Sequence, residues 1–403
     1  MGEFFLGTIG SLPQIEHPRV AWEENPSGVE VRRCFYSEFC RFAAIYRWLG
    51  SFPVETSRLS RNLNFSWKST ITLMSVLSLP ITSVFLWSWE RFGDTLEQLF
   101  SLILTICPLV NKILYINNTP SLIKLIQQMD LIDVDSSLKE RNVELIKKDH
   151  KFIICFGLVS SAIVMFPHSI LTTGPVPQVI FYHFLHCQWM ITSMAQSSIY
   201  YAICYQMNHF CDRYLSSLEE IASWPHNEVS EDLIEDHRIV QAKLMTCVRL
   251  MDDTFGSWLA FIYITNCVKF LLYCYYSMYG IRRGEMGLTL LQMIWFLFFV
   301  YRPAVLTDHI NRKNKKIMPY LVKMALKPFP DSTLFQINYF IRQLKFNVAS
   351  VSAAGLADIN KEIVTKSLSL FATSFVAVIQ LEPQVQNLVT YLRRMINSTS
   401  PSQ

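Results

Sequence analysis

Seven stretches of this chain each run for about 20 or more mostly apolar residues, the length a helix needs to cross about 30 Å of hydrocarbon at about 1.5 Å per residue. They lie at Ser66–Trp89, Thr95–Ile116, Lys151–Thr173, Gln178–Tyr205, Phe255–Ile281, Met286–Asp308 and Lys361–Leu381, the last being the most polar. Hydrocarbon offers backbone N–H and C=O groups no partner, so such segments must satisfy those groups internally, as helices. The sequence therefore predicts an all-α, polytopic membrane protein with seven transmembrane helices. Composition agrees: 51% of residues are hydrophobic and 17% charged, against about 25% charged in globular proteins.

Lys and Arg set the orientation, because they are retained on the cytoplasmic side. The arm before Phe65, Asn117–Lys151, Gln206–Thr254 and His309–Lys361 hold 26 of them, and the alternate segments hold 5. An odd number of spans then gives a cytoplasmic N-terminus and an extracellular C-terminus. The organisation expected is a cytoplasmic arm over 1–65, helices one to six with cytoplasmic extensions over 66–308, a cytoplasmic anchor segment over 309–360, helix seven over 361–381 and an extracellular tail over 382–403. Asn397-Ser398-Thr399 in that tail is a glycosylation sequon. The opening residues have no basic stretch leading into a long apolar core, so no cleaved signal peptide is expected. The ten cysteines lie in spans or inside segments and suggest no disulfide framework. The basic residues are scattered, which argues against a nucleic-acid partner.

The inside segments carry helical periodicity, as in Phe210, Tyr214, Leu218 and Ile221, or Leu334, Ile337, Phe340, Ile341 and Leu344. Helices four to six are thus expected to continue into the cytoplasm, with these stripes forming either intrachain core or a subunit interface. Lys112 lies near the inner end of the second span, where it can snorkel. Lys269 lies too deep in the fifth span for that, so a wet cavity or internal neutralisation is expected around it. No convergent nucleophile, carboxylate or metal set is evident, so neither an enzyme nor a cofactor is expected. His183-x-x-His186 lacks the further histidine boxes of a di-iron site. Asp212-Arg213-Tyr214 follows the fourth helix, in a topology opposite to that of G-protein-coupled receptors. A multi-pass transporter would be expected to show paired broken helices in two repeats, and no such repeat is seen.

Helix seven ends Thr373-Ser374-Phe-Val-Ala-Val-Ile-Gln380-Leu381. Gln380, with Thr373, Ser369 and Lys366 below it, would place polar groups in lipid if it stood outside a bundle, so this face must meet protein or water. Polar contact with a neighbouring helix and a pore lining both satisfy that condition. The segment resembles the signature of the insect gustatory receptors, within the insect chemoreceptor superfamily: a Thr-Tyr pair, five mostly apolar residues and Gln-Phe. Here Ser374 replaces the Tyr and Leu381 the Phe. Gly355-Leu-Ala-Asp-Ile-Asn360, Leu49-Gly50-x-Phe52-Pro53 and Phe255-Gly256 are similar to further family motifs.

The resemblance implies a subunit of a homo- or hetero-tetrameric, ligand-gated, nonselective cation channel in the plasma membrane of chemosensory neurons. It would be opened by an extracellular small-molecule tastant without a G protein. Four copies of helix seven would line the pore, with Thr373, Val376, Gln380, Leu381 and Glu382 as pore and gate residues. An odorant receptor subunit of the same architecture is the alternative. A ligand pocket is implied in the outer halves of the helices, where Lys269, Tyr273, Tyr276, His183, His186, Trp189, Gln292, Trp295 and His168 are the candidates. Aromatic walls with a few polar groups suit a small ligand, but interfacial aromatics have the same composition.

Overall fold

The computed structural model describes residues 55–56, 63–65, 95–133, 151–156, 176–225, 228–281, 297–346 and 349–370, with isolated further positions between 73 and 380. The chain divides into the units Met1–Arg33 and Cys34–Gln403. The first, like the Leu49 to Pro53 motif, Arg282–Glu285 and the Asn397 sequon, lies outside the described residues.

The described residues are mostly helical. A two-residue antiparallel pair, β1 (Glu55–Thr56) and β2 (Leu63–Asn64), and an antiparallel bridge between Ser352 and Asp358 depart from the all-α expectation. Three long helices follow: α1 (Thr95–Asp133), α2 (Val176–Ser223) and α3 (Glu231–Ile281). A π-helical turn, Leu297–Tyr301, leads into α4 (Arg302–Ala325), and α5 spans Asp331–Phe346. A final helix, α6, starts at 361, is continuous to 370 and is still helical at 380.

At about 1.5 Å per residue the 51-residue α3 is about 77 Å long and the 48-residue α2 about 72 Å, more than twice the hydrocarbon thickness. Both run beyond the predicted span ends, as does α4. So does α1, which continues past Ile116 to Asp133 where no extension was expected. Among the described residues, no helix is long and apolar enough to cross a membrane. The windows at Ser66–Trp89, Lys151–Thr173, Met286–Asp308 and Lys361–Leu381 fall partly or largely outside those residues.

Helix α1 lies along α3, and α4 along α2. The stripe Phe210, Tyr214, Leu218 and Ile221 is buried; of the second, Ile337 and Phe340 are buried while Leu334, Ile341 and Leu344 are half-buried against the same core, so both stripes pack within the chain. Burial of each such side chain contributes about 1.5–3 kcal/mol. Tyr200, Phe255 and Trp258 form an aromatic cluster with ring centroids 5.0–5.9 Å apart. Its polar edges are satisfied: Trp258 Nε1 donates to Gln196 Oε1 at 3.0 Å, and the Tyr200 hydroxyl meets Thr307 Oγ1. Lys112 does not snorkel. It is only 2% exposed, enclosed where α1 packs on the bundle.

Polar contacts fix the far ends of the helices. Lys327 Nζ donates to the carbonyls of Ala222 (2.6 Å) and Trp224 (3.0 Å), supplying donors to the C-terminal end of α2 and complementing its dipole. Asp212 pairs with Lys313 at 2.8 Å, and Lys313 also donates to Asn208 Oδ1 at 3.1 Å. The Asp212-Arg213-Tyr214 sequence thus serves packing here, with Tyr214 Oη donating to the His237 carbonyl at 3.1 Å.

Candidate functional site

Helix α6 carries Thr373, Val376 and Gln380 of the predicted pore and gate residues, and the chain segment ahead of it is closely tied to its neighbours. Residues 351–359 form a short hairpin. Ile359 N donates to Val351 O at 3.1 Å, Ala353 N to Ala357 O at 2.8 Å and Leu356 N to Ala353 O at 3.0 Å. Ala354 (φ 54°) and Gly355 (φ 72°) occupy the two central positions of the tight turn. Positive φ at both is the type I′ pattern, which glycine at the second position favours. Helix α6 then starts on an N-cap, with Ile363 N donating to Asn360 Oδ1 at 3.0 Å. The Gly355 to Asn360 motif is thus a turn and a cap, with Ile359 fully buried between them.

Two helices grip this hairpin. Asp252 Oδ1 of α3 accepts from Ser352 N (2.6 Å) and Ser352 Oγ (2.9 Å), and Ser352 Oγ accepts from Gly355 N (2.8 Å). The amide of Asn311 on α4 takes a donor and gives one: Val351 N donates to its Oδ1 at 3.3 Å, and its Nδ2 donates to Ile359 O at 3.4 Å. Contact with α3 is so close that a Cβ on Gly256 would lie 3.2 Å from Ser352 O and 3.3 Å from Ala354 N. Gly256 thus meets Ser352 and Ala354, about a hundred residues on in sequence, in the hairpin whose turn Gly355 completes.

Beyond the root of α6, Thr373, Val376 and Gln380 are all exposed on this chain, Val376 at 51%. Thr373 Oγ1 donates back to Ser369 O at 3.0 Å, and Lys366 pairs with Glu362 at 2.9 Å. Leu381 and Glu382 lie outside the described residues. Of the ligand candidates, Lys269, Tyr273 and Tyr276 fall on α3 and His183, His186 and Trp189 on α2, where the described backbone is helical. Their side chains, and His168, Gln292 and Trp295 altogether, lie outside the described residues.

Sequence reasoning missed a second polar cluster. Arg302, at the start of α4, donates to Asp149 and to the Tyr205 hydroxyl, and Tyr205 Oη donates to Asp149 Oδ2 at 2.9 Å. The guanidinium sits 4.8 Å over the Tyr201 ring, where a cation–π attraction offsets part of its desolvation. The π-turn beside it has a local cause. Pro303 has no N–H to offer the preceding turn, and the Tyr201 hydroxyl donates instead to the Phe298 carbonyl five residues back. Tyr263 Oη donates to Val300 O at 3.0 Å. A signal was present: an Arg-Pro pair inside a predicted span is as anomalous as Lys269.

Residues 40–385 match the family described as 7tm Chemosensory receptor. The chain belongs to that family. Its members are insect gustatory and odorant receptors, multi-pass membrane proteins that act as ligand-gated channels and not as enzymes. Over 141 residues this receptor chain is 26% identical to the gustatory receptor for sugar taste 43a of Drosophila melanogaster. That alignment takes in 34% of this chain and 33% of the relative, so the match spans about a third of that relative's length. The fold is similar to that of the olfactory receptor OR5 from Machilis hrabei, with a TM-score of 0.64 at 13% identity, covering 85% of this chain and 97% of that one. The same receptor in complex with eugenol gives 0.58 at 15% identity, over the same shares of the two chains. At such identities the likeness is one of fold.

Proposed function

We propose that this chain is a gustatory-receptor-like subunit of a tetrameric, nonselective cation channel of the plasma membrane of chemosensory neurons, opened by an extracellular small-molecule tastant. It would cross the membrane seven times, with the N-terminus inside and the C-terminus outside, and α6 would line the pore. The observation that carries this reading is the outward exposure of Thr373, Val376 and Gln380 on one helix of the single chain. A Gln380 amide at membrane depth needs water or a protein partner, and repetition of the helix around an axis supplies both. Leu381 would close the pore by dewetting and Glu382 would concentrate cations at its mouth. An odorant receptor subunit is the second reading, favoured by the fold of OR5.

The experiment is thiol accessibility in cells expressing the full chain. Sugars (glucose, fructose, sucrose) are the first probes, because the Drosophila relative is named for sugar taste, and eugenol is the second, because OR5 is known in complex with it. With Gln380→Cys, a membrane-impermeant thiol reagent applied from outside should block the current evoked by the active probe. A conducting variant that the reagent leaves untouched would remove α6 from the pore. An epitope at Gln403 should be labelled on intact cells and one at Met1 only after permeabilisation. Labelling of Met1 on intact cells overturns the topology.

A further inference from the structure

The root of α6 is held differently from the rest of the helix. From 372 onward its described side chains are exposed, whereas Ile359 and Val364 are buried and the hairpin between them and α5 is bonded to two other helices. Those bonds converge on two side chains. Asp252 takes both donors of Ser352 with one oxygen. Asn311 bridges the two strands of the hairpin, accepting from Val351 and donating to Ile359.

Both belong to helices that reach well beyond this contact. Asp252 lies 17 residues before Lys269 on the unbroken α3, about 25 Å along the axis. Asn311 follows the π-turn that begins α4. A helix with an intact hydrogen-bond ladder moves as a rod. Displacement of its outer half therefore reaches Asp252, and the short, charge-assisted bonds there resist slippage better than apolar contact does. Gly256 brings the hairpin backbone against α3 directly, leaving no space in which such movement could be lost.

We propose that Asp252 and Asn311 are positioning residues of the gating helix: together they clamp the 351–360 hairpin so that movement of α3 and α4 is delivered to the N-terminus of α6. The proposal rests on the reading of α6 as the pore helix, while the clamp itself does not.

The test uses the full chain in cells, with whichever sugar or eugenol opens the wild type. Asp252→Ala should reach the surface at the wild-type level and raise the half-maximal probe concentration about tenfold or more, since two hydrogen bonds to a carboxylate are lost. Asp252→Asn keeps an oxygen acceptor and should stay within about threefold of wild type, since a neutral acceptor retains roughly half the bond strength. Adding Ser352→Ala to Asp252→Ala should cost less than Ser352→Ala costs in the wild type, because the Ser352 Oγ bond to Asp252 is already gone and only the bond from Gly355 N to Ser352 Oγ is left to lose. A merely structural clamp would lower the amount at the surface and leave the half-maximal concentration alone. That result, or an unchanged response curve at normal surface level, overturns the proposal.

Should Asp252→Ala fail to reach the surface, Ser352→Ala, which removes only the hydroxyl's bonds, must show the same shift to a smaller degree, and no shift overturns the proposal. If the wild type passes no current with any probe, the channel reading fails and the proposed delivery of movement falls with it. The clamp is then judged by amide exchange in the purified full chain. Residues 351–360 should exchange faster in Asp252→Ala and Asn311→Ala than in wild type, and equal exchange shows that the clamp does not hold the hairpin.

Discussion

Arg302 and Asp149, 153 residues apart in sequence, form an ion pair beneath the Tyr205 hydroxyl, with the guanidinium over the Tyr201 ring. The pair joins the segment leading into the predicted third span to α2 and α4. Burial raises the Asp149 carboxyl above its ordinary range, while the Arg302 charge works against that shift. Removing one partner strands the other charge. Because the Arg302 side chain is 31% exposed, Asp149→Leu should cost about 2 kcal/mol rather than the roughly 3–5 of a fully buried pair. The double variant Asp149→Leu/Arg302→Met should recover most of that loss. Thermal unfolding of the purified chain measures both, and a double variant no more stable than the single would show that the cation–π contact, not the ion pair, holds the cluster.

Gly256→Ala puts a methyl group 3.2–3.3 Å from two backbone atoms of the hairpin. Neither atom is the end of a flexible side chain, so the hairpin must shift as a unit. The expected cost is about 1–3 kcal/mol, read as a lower Tm. Gly355→Ala has open space around it but a φ of 72°, and should cost about 1 kcal/mol through backbone strain alone. Equal Tm values for Gly256→Ala and wild type would show that the contact is looser than these distances.

Lys269→Met keeps the side-chain length and removes the charge. If the residue serves the ligand cavity, the variant should reach the surface normally and shift the probe concentration for half-maximal current by fivefold or more, about 1 kcal/mol. Loss of surface expression would make Lys269 structural. An unchanged curve at normal expression would leave it no part in ligand response.

His237 lies tilted against Tyr214, with ring centroids 5.9 Å apart, shares a hydrogen bond of 3.2 Å with Ser217 and has Asp236 beside it. Burial lowers its pKa from 6.5, with Asp236 opposing. The folded chain therefore holds this proton less readily than the unfolded one. The stability so gained is present above about pH 6.5 and is lost as pH falls through 6.5 toward the lowered value. The Tm of the purified chain should fall between pH 7.5 and 5.5, and fall less in His237→Asn. The same fall in both would place the acid sensitivity elsewhere.

The family, the helical class and the start of α6 at 361 were legible in the sequence, because each depends on local pattern. Apolar length prescribes helices, and the Thr373 to Gln380 spacing marks a polar face that must meet protein or water; that Asn360 caps α6 came from the structure. The Phe210 to Ile221 stripe showed that one face of α2 would be covered, but periodicity does not say by what. Only the tertiary structure decided that this covering comes from the same chain. Tertiary structure likewise decided that Lys112 is enclosed rather than snorkelling, that Arg302 finds Asp149, and that Gly256 meets Ser352 and Ala354 of the hairpin. Each of these depends on which distant segment arrives, and the energy of a buried charge or a missing Cβ is set by its neighbours in space, which one-dimensional pattern does not contain.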